Sequence, residues 1–338
     1  MRTNTRRKIL VAVQILVSAG LLIYLLGQVD LAKLLSTWGG LRQPFLWLAL
    51  ALQLGGVLIS SLKWWLLLRA AGQPVPYGWT VRTYLVGQFF SNFLPTQIGG
   101  DAVRMYALSR RIGRPAIAIA SVFVERITGF LALTAIASVA LAASAGRFAG
   151  ARQVLLAVVG CILVAAAGLV VAFLAPWIVR RLARLNLPDA LGWRGKLRSF
   201  ADSLAIYYAY PRTLALVIAL AFGYQLSWIL VNYAVAQALA LEIPLAFVAL
   251  MVPVSDIVGL VPIFFNSLGA REGTYVLLLG LLGLPAESAL AISFVIFGVR
   301  LVVSALGGVL YALGGVGQLR GAVEDEAQSV QGVGGAEK

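Results

Sequence analysis

Apolar residues in this chain come in long, nearly unbroken runs separated by short charged stretches, rather than alternating with polar ones. The first run covers Ile9 to Leu26, behind Arg2, Arg6, Arg7 and Lys8, and ends in Gly27-Gln28-Val29-Asp30 without a small-residue cleavage site. It therefore predicts an uncleaved anchor rather than a signal peptide. Further runs cover about Pro44–Leu68, Ile117–Ala145, Val154–Ile178, Leu214–Leu239 and Ala289–Leu313. Each is long enough for a helix crossing a hydrocarbon core, which takes about 20 residues. Two more apolar segments are interrupted. Tyr84–Gly100 is broken by Pro95 and Gly99-Gly100, and Ile243–Gly283 by Pro253, Pro262, Gly269 and Gly273. Proline and glycine at membrane depth free backbone groups that the protein or a wet cavity must satisfy. Each segment fits either a re-entrant half-helix hairpin or a pair of short spans.

The pattern predicts an all-α polytopic membrane protein with about six full spans and two broken helical elements, about eight helices in all. Composition agrees: of 338 residues, 61% are hydrophobic and only 12% charged, against about 25% charged in a soluble domain. There is no histidine and one cysteine, Cys161, which removes His-based catalysis, disulfide frames and Cys or His metal sites. No cofactor is expected. The +14 net charge could suggest nucleic acid, but its distribution does not. With the N-terminus inside, Lys63, Arg69, Arg110, Arg111, Arg114, Arg180, Arg181, Arg184, Arg194, Lys196, Arg198, Arg212 and Arg320 all fall on the cytoplasmic side. Lys33, Arg42, Arg147 and Arg152 fall opposite. This positive-inside bias predicts that both termini are cytoplasmic. Tryptophans 38, 47, 64, 65, 79, 177 and 193 sit near span ends, as in an interfacial belt. The loop from about Leu182 to Tyr210 reads either as an amphipathic surface helix or as a plain basic loop. Residues 1–8 are expected to form a basic N-terminus, 9–318 one transmembrane domain, and 319–338 a disordered polar tail, with no soluble catalytic domain expected.

Once loop charges are set aside, Asp101, Arg104, Glu125, Arg126, Asp256, Arg271, Glu272 and Arg300 remain. An ionised group at the bilayer centre costs about 2.5–3.5 kcal/mol, so eight facing lipid would cost on the order of 20 kcal/mol. Most must face the bundle interior and pair with each other or with a polar ligand. Helices restarting at Asp101 and near Arg271 would aim free N–H groups inward, beside arginines, an arrangement suited to phosphate. Arg104, Arg126 and Arg271 are the candidate headgroup ligands, with Asp101, Glu125 and Glu272 positioning them or meeting an amine. Asn266, Arg300 and Asp256 are supporting candidates. Structural readings stand beside these: Asp101 as a helix cap, Glu125-Arg126 as a neutralised pair, and Arg300 as partner of Glu272 or Asp256. The segments at about 80–145 and 244–314 also read as one element used twice in inverted orientation, as in secondary transporters.

Phe93-Leu94-Pro95 to Gly99-Gly100-Asp101 with Arg104, then Val124-Glu125-Arg126 with Gly129-Phe130-Leu131, then Leu268-Gly269-Ala270-Arg271-Glu272-Gly273 carry a resemblance. Over roughly residues 8–318 the sequence resembles the flippase-like transmembrane family typified by the membrane half of lysylphosphatidylglycerol synthases. The resemblance implies a bundle with two opposed broken-helix elements, a bacterial inner-membrane location and movement of lipids between leaflets. Lipid-lysinylating members carry a soluble aminoacyl transferase domain that is not expected here, so lipid synthesis is not carried over. The stretch Phe264-Phe265-Asn266-Ser267 also departs from the smaller residues of many relatives. The expected function is a non-enzymatic lipid translocase whose partners are membrane lipids. The alternatives are a membrane-embedded lipid transferase with Asp101 or Glu272 as base, a non-catalytic partner of a lipid-modifying enzyme, and a soluble-substrate transporter.

Overall fold

The computed structural model describes residues 16, 19–20, 23–27, 40–92, 99–144, 146, 151–182, 193–261 and 264–313. Of 172–173, 175–176, 179–180, 182, 193–194, 196–197 and 265 it describes the backbone alone. From residue 43 onward these residues form ten α-helices and one short 3-10 turn; 23–27 are also helical, and there is no strand among the described residues. The helices are α1 (Gln43–Ala70), α2 (Tyr77–Ser91), α3 (Gly99–Ile112), α4 (Pro115–Ser144) and α5 (Arg152–Leu182). They continue with α6 (Trp193–Tyr208), α7 (Pro211–Ala238), α8 (Leu245–Gly259), α9 (Ala270–Gly280) and α10 (Ala286–Ala312). Among the described residues, five helices are long and apolar enough to cross a membrane: α1, α4, α5, α7 and α10. They match five of the six predicted spans. Most of the first predicted span, the basic N-terminus, the break from Phe93 to Ile98, Pro262 and the C-terminal tail lie outside the described residues.

Proline sets several helix starts, where a missing N–H leaves no intrahelical bond unmade: Pro44 opens α1 and Pro211 opens α7. The outer faces stay apolar and exposed, as at Trp47, Val139, Leu163, Val164, Leu226 and Val309, which suits contact with lipid chains. Helices α1 and α7 pack along each other in opposite directions. The Arg42 N–H at one end donates to the Ala238 carbonyl at 2.8 Å, while Leu67 and Ala71 meet Val217 at the other. Arg69, Arg110, Arg111, Arg114 and Arg212 gather at that second, basic end.

Both broken segments re-enter. Helices α2 and α3 run in from the basic end and back, since Trp64 and Leu68 late in α1 cluster with Val75, with Leu108 late in α3 and with Ala118 early in α4. With 15 and 14 residues they reach only about 20 Å. Their close approach requires glycine: a Cβ on Gly100 would lie 2.3 Å from the Gly87 carbonyl oxygen. Helices α8 and α9 enter from the opposite end, where Ile243, Phe247, Leu278, Leu279, Ala289 and Leu290 join the main core. The packing is reciprocal: α4 lies on α8 as α10 lies on α2, and each hairpin packs on the long helix that follows it.

The second break is narrower than the prolines and glycines suggest. Pro253 is buried within α8 and Gly273 lies within α9, so neither interrupts a helix. The backbone turns at Asn266, Ser267 and Gly269, with φ of 45°, 62° and 83°. Asparagine tolerates that left-handed region, and the Ser267 hydroxyl donates to the Gly259 carbonyl at 2.8 Å, tying the turn back to α8. The stretch before α7 is in part a helix, α6, whose Leu204 and Tyr207 are buried against α1, α4 and α7.

Candidate functional site

The first hairpin and α4 together build a lattice of crossed ion pairs. Asp101, in the first turn of α3, pairs with Arg104 one turn later and with Arg126 of α4, whose Nε lies 2.5 Å from its Oδ2. The Arg104 Nη1 donates to Glu125 Oε2 at 2.7 Å, and the Tyr84 hydroxyl donates to Glu125 Oε1 at 3.3 Å. Glu125 and Arg126 are therefore not partners of each other; each reaches across to α3. Asp101 is likewise a double ion-pair partner. Arg104 is fully committed, held by two carboxylates and flanked by the rings of Tyr84 and Trp64 at 4.2 and 5.1 Å. Trp64, expected in an interfacial belt, is wholly buried here and donates to Ser121 at 3.1 Å. Arg126 is different. Its described hydrogen bond uses only Nε, and 42% of its side chain is accessible.

This lattice forms one wall of a cavity of about 190 Å³, enough for on the order of ten waters. The other walls come from α1, α7, α8, the 3-10 turn and α10, through Lys63, Tyr224, Gln225, Asp256, Asn266 and Arg300. Glu125 lies ten residues after Pro115, about 15 Å along α4, near the middle of a hydrocarbon core about 30 Å thick. Seven of the lining residues carry formal charge, four cations against three anions. Asp101 and Glu125 are matched by Arg104 and Arg126. Lys63, Arg300 and Asp256 are left. Among the described residues Lys63 has no ion pair or hydrogen bond, only the Tyr224 ring at 5.2 Å, although it is just 3% exposed. Arg300 stands 5.9 Å from the Trp228 ring, and Asp256 accepts from that indole Nε1 at 3.1 Å. Trp228 thus joins Arg300 and Asp256 without a direct salt bridge between them. Four buried polar atoms on the cavity wall, Ser60 Oγ, Gln88 Oε1, Gln225 Oε1 and Asn266 Oδ1, find no hydrogen-bond partner among the described residues. Buried groups left so are costly unless a polar molecule meets them.

Arg271 and Glu272 do not join the cavity wall. Glu272 accepts from the Gly269 N–H at 2.6 Å, capping α9. It also accepts from Arg271 at 2.8 Å and from the Ser293 hydroxyl at 2.6 Å. The Arg271 Nε donates in turn to the Ser293 hydroxyl at 2.8 Å. The three side chains satisfy one another and lock α9 to α10. Glu272 thus serves as a helix cap and as the partner of Arg271 at once. Lys63, in contrast, is one of the charges that the sequence pattern assigns to the cytoplasmic side. It lies seven residues inside the end of α1, and its position within a run of Trp and Leu was the available signal.

A comparison with curated proteins returned no match. The family model described as the lysylphosphatidylglycerol synthase TM region matches residues 11–308, nearly the whole transmembrane bundle with both hairpins and every residue of the cavity. The chain belongs to the lysylphosphatidylglycerol synthase transmembrane family, a membrane-protein family connected with lipid modification or transfer.

Proposed function

We propose that this protein is a lipid translocase rather than an enzyme, holding a polar headgroup in the cavity while the acyl chains stay in the bilayer. The observation that carries the reading is a mid-depth cavity between two opposed re-entrant hairpins, lined by cations and by buried polar atoms without a partner among the described residues. Such groups would be costly in hydrocarbon without a polar occupant. A headgroup passing between leaflets supplies one. Opposed broken elements around a central site are the architecture of alternating-access transporters, which supports the same reading. Arg126, with its guanidinium partly free, is the ligand for an anionic phosphate. Lys63 and Arg300 complete the positive side. The basic end of the bundle faces the cytoplasm of a bacterial inner membrane, by the positive-inside bias.

Leaflet exchange of headgroup-labelled phospholipids in vesicles containing the purified protein tests this. Wild-type protein is expected to accelerate exchange, and Arg126→Ala to reduce the acceleration at least tenfold. Absence of exchange for every lipid of a panel including phosphatidylglycerol, phosphatidylethanolamine and a polyprenyl phosphate would overturn the proposal.

A further inference from the structure

We infer that Asp256 is a proton carrier, taking up a proton as the cavity loads and releasing it as the headgroup leaves, so that proton and headgroup cross together. The inference rests on the translocase reading and adds its coupling. The cavity wall holds three carboxylates, Asp101, Glu125 and Asp256. Asp101 and Glu125 are each in direct contact with arginine, so a proton on either would break an ion pair. Asp256 has no ion pair among the described residues. Its Oδ2 accepts from the Trp228 indole, and a proton added to Oδ1 leaves that bond standing. It lies in the last turn of α8, at the negative end of the helix dipole, where a carboxylate gains nothing from the backbone. Intramembrane carboxylates that face a cavity without a fixed partner are the parts from which proton relays are built.

The groups around Asp256 single out Arg300 as the charge it governs. Arg271 of α9 acts on it but is already held by Glu272 and Ser293, and Tyr275 of the same helix donates to Asn232. From α4, Glu125 and Arg126 are tied to α3. Lys63 of α1 and Tyr224 of α7 stand against each other. The α5 side chains in the adjoining core, Val158 and Ile162, carry no charge. Arg300 meets the same Trp228 ring as Asp256 and has no ion pair among the described residues. Ionised, Asp256 offsets Arg300 across that indole. Neutral, it leaves the Arg300 charge to the phosphate of the headgroup. Proton and phosphate binding therefore favour each other, and by linkage the effect is mutual. The proton comes from water on the side to which the cavity opens, forms the Oδ1–H bond, and returns to water on the other side.

The test is accumulation against a pH difference. Full-length protein is reconstituted in phosphatidylcholine vesicles carrying labelled phosphatidylglycerol or labelled polyprenyl phosphate, with the membrane potential clamped at zero and the lumen one pH unit above the medium. Protein-free vesicles set the baseline. Wild-type protein is expected to concentrate the probe in the lumenal leaflet, towards the limit of about tenfold that one proton per headgroup allows. Asp256→Asn keeps an acceptor for Trp228 but carries no proton, so its leaflets should end at equal probe. Asp256→Glu, which can carry one, should again accumulate probe, a recovery that a merely structural role would not show. Wild-type exchange that runs to equal leaflets overturns the coupling and leaves translocation standing. Accumulation that survives Asp256→Asn, or exchange lost in both variants, overturns Asp256 as the carrier. A parallel arm adds glycerophosphoglycerol outside and follows lumenal pH with a trapped dye. Acidification by wild type but not by Asp256→Asn, without lipid exchange, upholds the coupling and overturns the lipid reading. Neither exchange nor acidification overturns both.

Discussion

Two arginines a few ångströms apart have different tasks, and the difference lies in how many of their donors are already used. Arg104 is 3% exposed, bonded to two carboxylates and stacked between Tyr84 and Trp64. Removing one partner of a buried charge network strands the rest, at about 3–5 kcal/mol. Arg104→Ala is therefore expected to lower stability by about that amount, read as a large fall in the melting midpoint of the detergent-purified protein. Arg126→Gln leaves Asp101 paired with Arg104, so its midpoint should fall by much less while lipid exchange is lost. Equal melting losses for the two would mean that Arg126 is only structural. The charged residues were legible in the sequence because hydrocarbon makes them costly, and seven of the nine candidates line the cavity: Asp101, Arg104, Glu125, Arg126, Asp256, Arg300 and the uncharged Asn266. Which of them pair with which was not legible, since i to i+3 spacing fixes Asp101 to Arg104 but nothing local says that α4 supplies two further partners. Lys63 was missed because lysine near a helix end ordinarily reaches for the surface. Here the cavity lies closer than the surface does.

At the level of helices, glycine decides how the first hairpin is moored. A Cβ on Gly307 of α10 would sit 2.0 Å from the Leu85 carbonyl oxygen of α2, and one on Gly100 would sit 2.2 Å from Ser91 Oγ. Gly223 in α7 has open space around it. Gly307→Ala and Gly100→Ala are expected to push backbones apart and destabilise by about 1–3 kcal/mol. Gly223→Ala is expected to be neutral or stabilising by up to about 1 kcal/mol, since alanine is the better helix former. Melting midpoints of the three variants check this; an undisturbed Gly307→Ala protein would show that α2 and α10 are not in backbone contact. Glu272→Gln belongs to the same scale. It weakens the cap on α9 and the tie to Ser293, so it should reduce stability without reordering headgroup preference; a reordered preference would return Glu272 to the cavity. The sequence announced both breaks through Pro95, Gly99-Gly100, Pro262 and Gly269. It overstated the second, because Pro253 and Gly273 are tolerated inside helices whose freed or exposed backbone is covered by neighbours. The tight glycines were not distinguishable from the many loose ones, since closeness is a property of the partner helix.

Over the whole molecule, the decisive feature is that neither broken segment crosses. Hydropathy could not separate a hairpin from two short spans, because both bury the same apolar residues. Helix length separates them: α2 and α3, of 15 and 14 residues, reach only about 20 Å from the end that the turn after α1 shares with the turn between α3 and α4, through Leu68, Val75, Leu108 and Ala118. The turns before α8 and after α9 share the other, through Ile243, Phe247, Leu279 and Leu290. A topology experiment reads this directly. With Cys161 replaced by serine, single cysteines at Gly72, Gly113, Ala240 and Gly283 are labelled by a membrane-impermeant maleimide added to one side of sealed vesicles. Gly72→Cys and Gly113→Cys are expected to react from the same side, and Ala240→Cys and Gly283→Cys from the other. A further single cysteine at Asn92, at the inner end of α2, is expected to stay unlabelled from the side opposite Gly72 and Gly113; labelling there would mean that α2 and α3 are two short spans, and positions 72 and 113 on opposite sides would mean that only one of them crosses. Either result would dismantle the cavity, whose walls need α3 and α8 to end at mid-depth facing each other. Agreement would make the two hairpins equivalent obstacles, one on each side of the headgroup site, so that moving one at a time exposes the site to one leaflet at a time.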